Sequence, residues 1–309
     1  MIANSSKQSG FALLAFTVVL AIVTFTIIMG YSVSSAKHQV AALDANQKVY
    51  LADVRGKLAA AYEAQSLTID GDSTWTSVPE DGRALMGLAG IVPRWDLQVR
   101  ISPPISREGV KYRVMAAWLP TDSDTPDEPI LAADGTFNPC PANSVDCVGR
   151  RNYVVVTDGF TIQRNNAKKA LAQLEQLTLN AQAFFKAKTM LDPEHNVSVN
   201  YFRPPYGGCS PVAEQMPCID SPAPIFGVSP PIRQANSVQS MAELLGLPNS
   251  PVLNPWGLPV EACNGPACTT AGERPVRWSP ISDGPPYTMT FQTSTPWGGV
   301  YKLYAVQQI

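Results

Sequence analysis

The chain opens with a sharp change of pattern. Residues 1–10 are polar and carry one lysine, Lys7; from Phe11 to Met29 there is no charge at all, in the run FALLAFTVVLAIVTFTIIM. A run of this length crosses the apolar layer of a bilayer as a helix. Lys7 precedes it and no cation follows until Lys37, so the charge asymmetry places the N-terminus in the cytoplasm and the remaining residues outside. Beyond the apolar run, Val40, Leu43, Gln47, Leu51, Val54, Leu58 and Ala61 recur at steps of three and four, the period of one helical face. Lys37, Asp44, Lys48, Asp53 and Lys57 fall mainly elsewhere around that helix. Residues 11–65 are therefore expected to form one long helix, with 11–30 in lipid and the second half packed on a globular head.

The pattern then changes period. Gly71 and the turn-rich stretch to Gly82 are expected to end the first helical region. Trp95, Leu97, Val99 and Ile101 alternate with Asp96, Gln98 and Arg100, the two-residue period of a half-buried antiparallel strand. Val110 to Trp118 reads as a second strand and Tyr153 to Val156 as a third, with an acidic surface loop between them. After Thr157-Asp158-Gly159, the recurrence of Ala170, Leu174, Leu177, Ala181 and Phe184 predicts a second long helix over about 162–190, closed by Pro193. Its lysines and Glu175 make it a packing helix, not a membrane span. A short helix Val238 to Leu245, an Asn254-Pro255-Trp256-Gly257 turn and strands 287–293 and 300–306 complete the chain. The fold class is α+β: a long N-terminal transmembrane and amphipathic helix, then a head with antiparallel sheet, a second long helix and disulfide-closed loops. The expected divisions are 1–10, 11–65, a first head unit 66–157 and a second unit 158–309.

Composition sharpens the setting. The net charge of −2 points to neither nucleic acid nor an anionic surface as partner. The six cysteines fall into neighbouring pairs, Cys140 with Cys147, Cys209 with Cys218 and Cys263 with Cys268. None has the spacing of a zinc or redox site, so local disulfides in an oxidising compartment are expected, with neighbour pairing chosen because each pair brackets a loop.

The junction Lys7-Gln8-Ser9-Gly10 followed by FALLAFTVVLAIV resembles the class III signal of type IV prepilins. That resemblance implies cleavage between Gly10 and Phe11 by prepilin peptidase and N-methylation of Phe11. It also implies filament partners, namely other pilin subunits packed through helix 11–65 and an inner-membrane assembly platform. The protein would sit in the inner membrane with its head in the periplasm, then in a pilus or pseudopilus outside the cell. One departure is informative. The fifth mature position, glutamate in most pilins, is Ala15. In the family that carboxylate neutralises a neighbour's N-terminal amine inside the apolar filament core. A subunit at the tip has no subunit ahead of it and can lack the acid, so Ala15 favours a minor, tip or initiating subunit. The order of helix, proline turn, N-x-W-G and closing strands resembles the heads of type IVb pilins. The second long helix resembles the PilV-like tip adhesins of conjugative type IVb pili.

Motifs for catalysis are missing from the sequence: there is no nucleophile elbow, phosphate-binding loop or dinucleotide fingerprint, and no enzyme is expected. His195, in Asp192-Pro193-Glu194-His195, reads as part of a solvated cap after a helix, and His38 has no evident partner. Asp122, Asp124, Asp127 and Glu128 offer oxygens to calcium without the glycine and spacing of an EF-hand. They read first as a solvated loop, with calcium the weaker alternative, Asp70 and Asp72 weaker still, and no other cofactor. Tyr201, Phe202 and Tyr206 are candidate contacts for a surface receptor or glycan, against the plainer reading as core. The competing functional readings are a membrane-anchored binding or sensor protein, and a minor pseudopilin of type II secretion.

Overall fold

The computed structural model describes residues 5–71, 75, 79–120, 130–139, 153–203, 216, 218–225, 241–247, 250–265, 268–269, 277 and 284–308. Helix α1, Ser5–Gly71, is 67 residues long, roughly 100 Å at 1.5 Å per residue. Among residues whose side chains are described, every one from Ala15 to Ser32 is exposed. Leu51, Val54, Leu58, Ala61 and Tyr62 are buried on one face. The predicted stripe therefore outruns the head. Val40 and Leu43 continue it toward the N-terminus but are 67 % and 48 % exposed. At Gln65 the backbone leaves helical values (φ −124°, ψ 21°), and the last turns beyond this kink bring Ile69 and Asp70 into the interior.

The first sheet holds β1 (Gln98–Ile101), β4 (Val114–Trp118) and β7 (Val154–Asp158) in the order β1-β4-β7, all antiparallel. The central strand β4 is buried at every position, which accounts for its unbroken apolar run. Met115, Ala117 and Leu119 pack toward the α1 residues Leu51, Val54, Leu58 and Tyr62. On the other side Val114 joins Tyr112 and Phe160, and Trp118 meets Phe137 with ring centres 5.7 Å apart. Two small hairpins flank the sheet. Strands β2 (Ile105–Arg107) and β3 (Val110–Tyr112) pair across Glu108-Gly109, both at positive φ, as a two-residue type I′ turn requires. Strands β5 (Ile130–Leu131) and β6 (Phe137–Asn138) form the second.

Strand β7 runs straight into α3, Gly159–Leu191, whose N-cap Asp158 accepts the backbone N–H of Phe160 at 2.8 Å. Ala167, Ala170, Leu174, Leu177, Ala181 and Phe185 form its buried face. That face packs on the second sheet, β8 (Ala223–Pro224), β9 (Val260–Cys263), β10 (Thr288–Ser294) and β11 (Val300–Val306), in the order β11-β10-β9-β8. A short helix α4, Met241–Leu244, adds Met241 and Ala242 to the same core.

The N-x-W-G turn has a concrete role. The side-chain oxygen of Asn254 accepts the N–H groups of Trp256 and Leu258 at 3.0 and 2.9 Å, while its amide donates to Thr293 Oγ1 and the Ser294 carbonyl. Gly257 then turns at φ +79°, a conformation open to glycine. The turn is thereby fastened to β10, and Trp256 stacks edge-on against Trp297 with ring centres 5.5 Å apart.

Several expectations are corrected. The stretch expected to be turn-rich up to Gly82 ends in a helix: Pro79–Leu88 is helix α2, packed on β1, and its first turn carries Glu80 and Asp81 as a helix N-terminus favours. The first strand starts at Gln98, because Trp95 and Asp96 both sit at positive φ in a turn. The second strand is interrupted at Arg113. Helix α3 starts three residues earlier than the periodicity indicated, at Gly159, and α4 covers Met241–Leu244. Residues 238–240 lie outside the described residues, as does most of the acidic loop.

Candidate functional site

The feature with the plainest functional bearing is α1 itself. Its apolar part is long enough to cross a membrane, and no described side chain in that part is buried. Three hydroxyls in and just beyond it are satisfied locally. Thr24 donates to the Leu20 and Ala21 carbonyls, Thr26 to those of Ile22 and Val23, and Ser32 to Met29. A hydroxyl bonded back to its own helix can enter an apolar medium without an unpaired donor. Gly10 and Phe11 lie within α1, and Ala15 is exposed on it.

Where α1 meets the head, polar contacts lock it in place. Tyr153 donates to Asp44 Oδ1 at 2.8 Å, and Lys48 bonds the other oxygen at 2.9 Å. These hydrogen bonds, first from Lys48 and then from Tyr153, hold the Asp44 carboxyl below the usual carboxylate range. One turn on, the Tyr50 hydroxyl donates to the Val92 carbonyl at 2.8 Å and accepts the Arg94 N–H at 3.1 Å.

The far end of α1 is held by a buried polar cluster. Tyr62 donates to Asp70 Oδ2 at 2.6 Å, and Gln163 of α3 donates to the same oxygen. Arg113, fully buried, places Nε 3.8 Å from Asp70 Oδ1 and donates through Nη1 to the Trp75 and Ser102 carbonyls, both at 3.0 Å. Its backbone N–H reaches the Tyr62 oxygen at 3.1 Å, and its carbonyl accepts the Gly159 N–H. Gln163 Oε1 in turn accepts Trp256 Nε1 at 2.6 Å. One chain of hydrogen bonds thus joins α1, the first sheet, α3 and the N-x-W-G turn. Burial pushes the Asp70 carboxyl up to about 6, against the opposing pull of Tyr62, Gln163 and Arg113. Burial, followed by the Asp70 charge, pushes the Tyr62 hydroxyl far above its ordinary value.

The remaining expected residues are placed as follows. Cys263 and Cys268 form a disulfide with Cα atoms 5.5 Å apart, the neighbour pairing expected. Cys218 is disulfide-bonded, whereas Cys140, Cys147 and Cys209 lie outside the described residues. Tyr201 and Phe202 are core and not a contact surface, packed on Phe185 at ring-centre distances of 5.3 and 4.6 Å; Tyr206 lies outside the described residues. Asp122, Asp124, Asp127, Glu128 and Asp72 lie outside them as well. Asp70 is no calcium candidate, because its oxygens face Tyr62, Gln163 and Arg113. His195 belongs to a cap: its Nδ1 is 3.0 Å from the Thr189 carbonyl, while Asp192 accepts the N–H groups of Glu194 and Asn196.

Sequence reading missed the Asp70 and Arg113 pair. The signal was an arginine inside an otherwise apolar strand run, VKYRVMAAW, since a charge there must be paired or exposed. Searched against family models, curated proteins and solved structures, the chain finds no match.

Proposed function

We propose that the protein is a minor type IV pilin-like subunit, the tip or initiating subunit of a filament, assembled through its N-terminal helix. The observation that carries this reading is the division of α1. One helix of 67 residues is apolar from Phe11 to Met29, with every described side chain from Ala15 to Ser32 exposed, while its later part is built into the head by Leu51, Val54, Leu58 and Tyr62. Such a helix passes from lipid to a bundle of like helices without refolding, because both surroundings accept the same apolar surface. The Gly10-Phe11 junction supplies the processing signal, and Ala15 leaves the apolar segment without the acid that an internal subunit needs. In this reading the partners are other pilin subunits along residues 11–65, prepilin peptidase and the inner-membrane assembly platform. The chain does no catalysis. Its disulfide-bearing head stays outside the cytoplasm, first in the periplasm and then on the filament.

Filament dependence is the test. Gly10→Ala is expected to leave the full-length chain in the membrane and to remove it from the sheared filament fraction, with immunogold label on wild-type cells confined to filament ends. Label spread evenly over the envelope, together with a Gly10→Ala chain that behaves as wild type, would favour a membrane-anchored sensor instead.

A further inference from the structure

Beside the junction of α1 with the head lies an open groove of about 720 Å³, a size suited to a small ligand. Its walls are Tyr50 and Trp95, whose rings meet edge to face with centres 5.4 Å apart. Trp95 stays 39 % exposed, although it sits in a turn that also fixes Asp96 at positive φ. The Tyr50 hydroxyl clamps the backbone at Val92 and Arg94, so the aromatic wall and the backbone that carries Arg94 are set before any ligand arrives. The Arg94 guanidinium lies 5.9 Å from the Tyr50 ring centre and makes no ion pair among the described residues. Asp53 and Lys57 at the other end neutralise each other at 3.0 Å. The amide of Asn46 completes the lining.

We infer that this groove binds a carboxylated saccharide. The C–H face of a pyranose carries partial positive charge and suits the negative face of an aromatic ring. Sugar hydroxyls match the donor and acceptor pair of a single amide, supplied here by Asn46. Among the described residues that line the groove, the one unbalanced charge is Arg94, whose planar fork takes a carboxylate through two parallel hydrogen bonds. A purely apolar peptide would cover Val49 and Val92 but would bury Arg94 and Asn46 without partners. Lipid is also a poor fit. Asn46 lies 17 residues beyond Met29 along the helix, about 25 Å at 1.5 Å per residue, which is clear of the headgroups. The inference stands on the groove and does not need the filament reading.

The test uses the full chain in a zwitterionic detergent that contains no sugar. Titration calorimetry with sialyllactose, against lactose as the neutral probe, is expected to show saturable binding with a preference for the acidic sugar of about tenfold or more, the scale of a charge-assisted hydrogen bond. Trp95→Ala is expected to abolish binding of both, and Arg94→Gln to remove only the preference. Both side chains reach solvent, and unchanged thermal unfolding confirms the variants as folded. If Trp95→Ala unfolds, Arg94→Gln alone decides. No saturable binding, binding untouched by either substitution, or a response confined to anionic phospholipid vesicles or to added copies of the chain overturns the inference.

Discussion

Arg113→Met is expected to destabilise the head by about 3–5 kcal/mol at neutral pH, measured by urea unfolding. The substitution strands the Trp75 and Ser102 carbonyls that Nη1 now satisfies and leaves Asp70 as a buried carboxylate without its cation. Asp70→Asn is expected to cost less. Burial already holds the Asp70 carboxyl up to about 6, above the ordinary carboxylate range, so desolvation outweighs the attraction of Arg113 and a neutral side chain is tolerated there. The double variant should recover part of the Arg113→Met loss, because no lone carboxylate remains.

The same cluster fixes the sign of a pH effect. A folded-state value above the unfolded one means that the folded chain binds the proton more tightly, so this group stabilises fully below about pH 4 and the contribution is lost as pH rises through 6. Wild-type stability should therefore rise by about 2–3 kcal/mol between pH 7 and pH 4, at roughly 1.4 kcal/mol per unit, and Asp70→Asn should remove that rise. Carboxyls held low by hydrogen bonds, such as Asp44 and Asp192, contribute in the opposite sense and begin to lose that contribution only at the acid end of this window. In Arg113→Met the Asp70 carboxyl moves higher still, so the deficit should be larger at pH 8 than at pH 6. A deficit independent of pH would mean that Arg113 acts only by packing.

Gly82→Ala is the second large effect. A Cβ at Gly82 would lie 1.9 Å from the Val99 carbonyl oxygen; the backbone fixes where a Cβ sits and the oxygen is itself backbone, so no rotamer relieves the clash. Helix α2 must shift off β1 and withdraw Leu85 from the core it shares with Val99 and Ile101. The expected cost is about 3 kcal/mol, toward the upper range for overpacking. Gly87 is the control on the same helix. Nothing lies within 4 Å of a Cβ there, so Gly87→Ala should be neutral or stabilising by up to about 1 kcal/mol through helix propensity. Equal melting temperatures for the two variants would contradict the close approach of α2 to β1.

Legibility followed the range of the forces involved. Helices α1 and α3 were visible because a long apolar face repeats its signal over many turns, and the closing strands because Thr288–Ser294 and Val300–Val306 flank a proline and glycine turn. Helix α2 was hidden by Gly82, a residue that reads as a turn but is required by its close approach to the Val99 carbonyl of the next element, β1. Trp95 fitted a strand alternation by identity, yet its backbone turns at positive φ, and local pattern does not encode that. The Asp70 and Arg113 pair lies 43 residues apart in sequence and is assembled by tertiary packing alone. For Tyr201 and Phe202 the plainer of the two readings, core, is the one observed: the chain beyond α3 buries both on Phe185.

The proposed pilin assignment joins two features, an α1 that is exposed and apolar from Ala15 to Met29 but head-bound from Leu51 on, and a Gly10-Phe11 junction at which that proposal requires processing. The mass of the N-terminal peptide from protein purified out of its native envelope decides it. The account predicts a chain that begins at N-methylated Phe11; a chain that begins at Met1, or at any residue other than Phe11, contradicts it.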